Sequence, residues 1–190
     1  MAGLAELPRD LVTLEQWDAL DLDEARRLEL VVGGIVMTPR PRPLHQIVSM
    51  NLTQLIRTAL PDSLVVLQEV EITVEARFPP TVRDPDLVVV NRSVVDRNPV
   101  RVDASDVALV VEIVSPGSRR TDRVMKLYEY AKAGIERYWI VDLDADTDER
   151  FLAHLLHDGT YQRVDALVTG RVRTGEPVAL DFTLDELTRP

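Results

Sequence analysis

Asp86 and Glu112 sit at the edges of strongly apolar runs, Asp84-Pro85-Asp86-Leu87-Val88-Val89-Val90 and Leu109-Val110-Val111-Glu112-Ile113-Val114. A carboxylate in such a run is costly to desolvate unless it is paired or holds a cation. Two of them on strands expected to be neighbours point to a divalent metal site. Carboxylate oxygens suit Mg²⁺ or Mn²⁺, ions that activate water and stabilise charge on a phosphoryl oxygen. The other reading is a pair of strand-edge carboxylates meeting some of the many arginines, and the residues alone give the two readings equal weight.

Asp122, Lys126 and Tyr130 follow at i, i+4 and i+8, so a helix carries them as one stripe. Val124, Leu127, Tyr128 and Ala131 form the opposite, apolar stripe. The apolar stripe is therefore expected to face the core, leaving Lys126 outside it and its removal harmless to the fold. Lysine occurs only at Lys126 and Lys132, and a lone ammonium near phosphate could stabilise developing charge. The plainer reading is an exposed helix ion pair of Asp122 with Lys126, worth a few tenths of a kcal/mol. Arg119, Arg120 and Arg123 gather at the start of this helix, where they could meet a phosphate group or simply form a solvated face. His45, near the start of an earlier helix, could join a metal site or meet phosphate, although such a residue commonly closes a turn. Gln68 could face the same cleft or bond across strands. His154 and His157, three apart in a strand, point to opposite faces and make no metal site.

The elements that must position these groups are legible from periodicity. Thr13 and Gln16 form a capping box opening a short helix through Leu20, and strands 28–32 and 35–38 flank Gly33-Gly34 as a hairpin. Apolar residues from Leu44 to Ala59 recur at helical spacing. Residues 64–74 read as a strand, while 87–90 and 108–114 are nearly all apolar, as strands covered on both faces tend to be. A helix over 121–133 ends at Gly134, and 138–141 returns as a strand, so 107–141 predicts a right-handed βαβ unit with a parallel pair. Strands at 151–156 and 161–168 join at Asp158-Gly159, and Thr183 with Glu186 caps a closing helix. The expected class is α/β, with a central mixed sheet flanked by helices and an N-terminal helix and hairpin.

With 190 residues, the chain fits one domain. Its formal charge of -10 opposes indiscriminate adhesion to nucleic acid or anionic membrane, without excluding a local basic groove. Cysteine is absent, which removes disulfides, thiol nucleophiles and zinc knuckles. Residues 1–14 carry Glu6 and Asp10 rather than a basic start and apolar signal core, and no run approaches a bilayer span, so a cytoplasmic protein is expected. No GxxxxGK[ST] or GxGxxG pattern occurs, which disfavours nucleotide-driven or dinucleotide chemistry.

Several motifs stand in a specific order: Leu28-Glu29-Leu30-Val31-Val32-Gly33-Gly34, the Pro-rich turn with His45, Pro85-Asp86, Val111-Glu112-Ile113-Val114-Ser115-Pro116, Asp122, Lys126, and Tyr130-Ala131-Lys132-Ala133-Gly134-Ile135-Glu136-Arg137-Tyr138-Trp139-Ile140-Val141-Asp142. This series resembles the Uma-type restriction endonuclease family, domain of unknown function 820, over about residues 14–187. The resemblance implies a PD-(D/E)XK nuclease fold and a metal site of Asp86, Glu112 and the Ile113 carbonyl. The general nuclease pattern places lysine two residues after the glutamate, where this chain has Val114. The family moves that lysine to the following helix, which Lys126 matches. Glu29 matches the family's upstream glutamate, which holds a metal-bound water, with a hairpin salt bridge to Arg26 or Arg27 as the competing role. The resemblance further implies DNA as substrate and a homodimer, because cutting two strands is served by two sites. Two rivals stay open: a nucleic-acid or protein-binding module without turnover, and a phosphoesterase for small molecules, which the acidic composition suits better.

Overall fold

The computed structural model describes residues 8, 10–20 and 27–190. Three sheets form its frame, and the central one holds most of the chemistry. Its six strands run in the order β11 (Thr160–Val164), β10 (Phe151–His157), β9 (Arg137–Val141), β8 (Val107–Ile113), β6 (Leu87–Asn91), β3 (Leu64–Gln68). The two apolar runs singled out in the sequence, β6 and β8, are interior and antiparallel. β8 and β9 are parallel, as the predicted βαβ unit requires. The unit closes through a π-helical turn, Thr121–Met125, that leads into α4 (Lys126–Lys132).

Period-two alternation divides this sheet into two faces. Leu87, Val89, Leu109, Val111 and Ile113 pack on one side against Val48, Leu52 and Ile56 of α2 (Pro43–Ala59). The same core takes Leu184 and Leu187 of α5 (Leu184–Thr188) and Val172 and Phe182 from a small sheet of β12 (Leu167–Val168), β13 (Arg171–Arg173) and β14 (Asp181–Thr183). Val88, Val90, Val110, Tyr138 and Ile140 face the other way, toward Tyr130 of α4 and Val94 of α3 (Arg92–Arg97). A five-stranded sheet completes the frame in the order β2 (Gly34–Met37), β1 (Leu28–Val31), β5 (Thr81–Arg83), β4 (Ile72–Glu75), β7 (Val102–Asp103). Leu28, Leu30 and Val82 of this sheet pack on Trp17 of α1 (Leu14–Asp18).

Both capping boxes form, at Thr13 with Gln16 and at Thr183 with Glu186. The first helix stops at Asp18, short of Leu20. The β1–β2 hairpin turns at Val32 and Gly33, both with positive φ, one residue earlier than the glycine pair predicted. The β-like stretch over 64–74 forms two strands, β3 and β4, which part at Glu69, where φ is positive and the chain leaves one sheet for the other. The strand expected over 161–168 likewise divides between two sheets as β11 and β12. No helix among the described residues is long and apolar enough to cross a membrane.

Candidate active site

The register of β6 and β8 pairs Leu87 with Val111, so Asp86 at the mouth of β6 stands opposite Glu112. Both side chains are buried. Parity sends Glu112 to the α4 face, with Val110. Asp86 accepts hydrogen bonds from Arg27 Nη2 at 3.1 Å on Oδ1 and from the Ile113 N–H at 2.7 Å on Oδ2. His45 Nε2 lies 3.2 Å from that second oxygen. Glu112 Oε1 accepts from Lys126 Nζ and from the Tyr130 hydroxyl, each at 2.8 Å. Lys126 Nζ also lies 3.4 Å from Glu29 Oε1 and 3.4 Å from Asp122 Oδ1. The Asp122 contact lacks hydrogen-bond geometry, leaving that buried oxygen without a hydrogen bond. A cavity of about 70 Å³ opens among Arg27, Glu29, His45, Asp86, Glu112 and Lys126.

Lys126 and its stripe overturn one expectation. Val124 and Tyr128 are 60% and 68% exposed, whereas Lys126 is 6% exposed and Asp122 and Tyr130 are buried with it. The polar stripe faces inward, and the supposed apolar one divides, with Val124 and Tyr128 in solvent, Leu127 against the core and Ala131 buried. Burying an apolar side chain contributes roughly 1.5–3 kcal/mol, while an unpaired buried carboxylate costs several kcal/mol. Glu112 and Glu29 need a cation more than Val124 and Tyr128 need cover. The Lys126 N–H bonds back to the Thr121 carbonyl, an i to i−5 bond that widens the turn just before the lysine.

Burial is the largest influence on Glu112 and pushes its pKa up to about 8; Lys126 opposes this, and Asp122, Asp86 and Glu29 add to it. Burial alone would lower Lys126, but Glu112, Glu29 and Asp122 together hold its pKa above the ordinary value, so the ammonium stays charged. Burial also acts to raise Asp86, yet hydrogen bonding and charge from His45, with Arg27 and the Ile113 N–H, bring it below the usual range. Glu29 ends low in the same way, held by Lys126 and Arg83 against burial. Burial raises Asp122 and raises Tyr130 far enough to keep its hydroxyl a neutral donor. His45 is raised, because its contact with Asp86 outweighs burial.

Arg27, Arg83, Asp84 and Glu129 complete the site, and sequence reasoning missed them as members. Arg83, fully buried, donates to Glu29 Oε2 at 2.8 Å and grips both oxygens of Glu129 on α4 at 2.7 and 2.8 Å. Glu29 therefore pairs with Arg83 rather than Arg27; the competing Arg26 lies outside the described residues. Arg27 binds Asp84 at 2.8 Å as well as Asp86. The signal was present, since Arg83-Asp84-Pro85-Asp86 sets three charges directly before an apolar strand. Gln68 does not reach this site. Its strand partner is Leu87, which puts it on the α2 face, and it donates to Ser49 Oγ at 2.9 Å. Arg119 grips Asp142 at 2.8 and 2.7 Å, and Arg123 bonds Asp142 at 3.0 Å and Glu149 at 2.6 Å. Both guanidiniums are thus held by carboxylates and not presented as a phosphate cradle; Arg120 is exposed. His154 stacks on Tyr138 and His157 is exposed, so the two do not converge.

Around the cavity, the carboxylates Glu29, Asp84, Asp86, Glu112 and Asp122 outnumber the cations Arg27, Arg40 and Lys126. This excess and the all-oxygen donor set fit a hard divalent cation. Among the described residues no group of three or more His, Asp or Glu side chains comes together as a ready ligand set. Such an ion would rest on two side chains, Asp86 and Glu112, completed by main chain and water.

The architecture is a mixed α/β fold, a mixed sheet flanked by helices, with opposed acidic strand ends beneath a helical lysine. The crystal structure from Anabaena variabilis described as "a putative nuclease belonging to DUF820" shares that fold at a TM-score of 0.70 and 19% identity, covering 93% of this chain and 97% of that one. The model of the Uma2 family, described as "Putative restriction endonuclease", matches residues 12–186, and the chain belongs to that family. No curated protein matches.

Proposed function

We propose that this protein is an endonuclease that hydrolyses DNA phosphodiester bonds with a divalent cation, through a PD-(D/E)XK-type site whose lysine comes from a helix. The observation that carries the reading is the meeting of Lys126 with Glu112 at 2.8 Å directly opposite Asp86. Asp86, Glu112 and the Ile113 carbonyl would hold Mg²⁺ or Mn²⁺. Bound there, the ion would polarise a phosphoryl oxygen and lower the pKa of a water. Lys126, permanently charged and fixed by three carboxylates, would stabilise negative charge gathering on the attacked phosphate. Tyr130 holds Glu112 in place from the side, and Glu29, ionised and beside Lys126, can orient a water. His45, with its raised pKa, can donate to a phosphate oxygen. A homodimer belongs to the same reading, since two sites serve two strands.

Incubating supercoiled plasmid with protein in Mg²⁺, in Mn²⁺ and with chelator tests this, with Asp86→Ala as the inactive control. Metal-dependent conversion to open-circular or linear DNA, lost in that variant, is the expected result. Binding of DNA without conversion would support a binding module instead. Turnover of small phosphate esters alone would support a small-molecule hydrolase.

A further inference from the structure

Arg77, Arg83 and Arg119 each close a two-point pair, with Nε on one oxygen and Nη2 on the other oxygen of a single carboxylate. The distances are 3.2 and 3.3 Å on Glu75, 2.7 and 2.8 Å on Glu129, and 2.8 and 2.7 Å on Asp142. Arg27 begins the same pair and does not finish it. Its Nε donates to Asp84 Oδ2 at 2.8 Å, but its Nη2 turns away to Asp86 Oδ1 at 3.1 Å and to the Asp84 carbonyl at 3.0 Å. Asp84 Oδ1 is left buried with no hydrogen-bond partner. Glu69 stands on the outer side of the same guanidinium, 3.9 Å from Nη1.

A carboxylate oxygen out of water and unpaired is costly, and a two-point arginine pair is among the stronger polar contacts. A second position is therefore open to Arg27. Nε keeps its oxygen, while Nη2 leaves Asp86 and takes Asp84 Oδ1, completing the pair that the other three arginines make. The two oxygens of Asp86 are unequal in this respect. Oδ2 accepts from the Ile113 N–H, a main-chain group fixed in β8, whereas among the described residues Oδ1 accepts from Arg27 alone. Oδ1 is the oxygen whose partner can leave. Arg27, Asp84, Asp86 and Glu112 all line the cavity of about 70 Å³, so the exchange takes place at its wall.

We propose that Arg27 is a two-position counter-ion that sets how tightly Asp86 takes a divalent cation. On Asp86 it opposes the ion, because a permanently charged guanidinium and a dipositive ion compete for one oxygen. On Asp84 alone it leaves that oxygen free. The apparent affinity is then the intrinsic one reduced by the fraction of molecules in the second position. The proposal rests on the metal-dependent reading above and adds Arg27 and Asp84 to it as positioning residues, neither of them a metal ligand.

Calorimetric titration with manganese chloride reads this without any turnover. Arg27→Gln removes the charge and keeps an amide donor for Asp84, and it should bind Mn²⁺ about tenfold more tightly than the parent, a coupling of ordinary size. Asp84→Asn spoils the second position and should bind about fivefold more weakly. Damage to the fold would weaken both variants. A mere change of local charge would also give opposite signs, and the double variant separates that case. Acting through one shared arginine, Asp84→Asn should matter less once Arg27 is replaced, whereas independent charges add. An Arg27→Gln affinity equal to or below the parent's, or an Asp84→Asn effect of the same size in both backgrounds, overturns the proposal. If Arg27→Gln loses its fold by far-UV circular dichroism, Asp84→Asn still decides, since a parent-like affinity there overturns it too. Asp86→Ala judges the metal site separately. A parent that binds no better than Asp86→Ala overturns the metal-dependent reading and this proposal together, while a parent that binds better, with no gain at Arg27→Gln, overturns this proposal alone.

Discussion

Lys126 is a buried cation beside Glu112, Glu29 and Asp122, and its removal takes the shared cation from that cluster. Loss of one partner from a buried ion pair typically costs about 3–5 kcal/mol. Lys126→Ala should therefore lower the free energy of unfolding in urea by that order with chelator present. Lys132→Ala, half exposed and paired only with Glu75 at 3.4 Å, should stay within about 0.5 kcal/mol. Equal midpoints for the two variants would mean that the ammonium does not neutralise the buried acids. Glu112 makes a pH prediction. Its folded pKa of about 8 stands above the ordinary glutamate value of 4.5, so the folded state binds the proton more tightly than the unfolded chain. The stability linked to that proton is full below pH about 4.5 and is lost as pH rises through about 8. Asp122 and His45, both raised, act in the same sense. In chelator, the parent should lose stability between pH 5 and pH 8, and Glu112→Gln should lose less. A variant with an undiminished slope would exclude Glu112 as its source.

At the scale of elements, charge ties α4 to the five-stranded sheet. Arg83 of β5 joins Glu129 of α4 to Glu29 of β1, so three elements converge on one guanidinium. Arg83→Met would take the cation from Glu129 and leave Glu29 to Lys126 alone, and should cost about 3–5 kcal/mol. Val124→Ala and Tyr128→Ala, on the exposed face of the same helical segment, should each change stability by less than about 0.5 kcal/mol. Chemical denaturation of the three variants reads the contrast. A large loss at Val124 or Tyr128 with little at Arg83 would restore the apolar stripe as the buried face.

At the scale of the whole molecule, the site lies on a chain of formal charge -10, so a polyanionic substrate meets repulsion that salt and a bound divalent cation relieve. If the protein cleaves DNA, conversion of plasmid at fixed Mg²⁺ should hold or rise from low to physiological salt, rather than fall steeply as it does for a site reached through a basic surface. A steep fall, read on a gel over time, would show a local basic groove that outweighs the net charge.

Local chemistry determined much of this in advance. The apolar density of 87–90 and 108–114 made those strands central, the capping residues fixed two helix starts, and the strand-helix-strand order fixed the parallel pair of β8 and β9. Asp86 and Glu112 were legible because a carboxylate beside an apolar run needs a compensating partner wherever the run ends up. What periodicity could not decide is which face of α4 turns inward, since it ranks side chains by hydropathy and cannot see the charge beneath them. Nor could it divide residues 64–74 between two sheets, assign Arg83 rather than Arg27 to Glu29, or send Gln68 to α2. Those outcomes depend on register and on charges brought together from distant positions, whose energies exist only once the sheets are stacked.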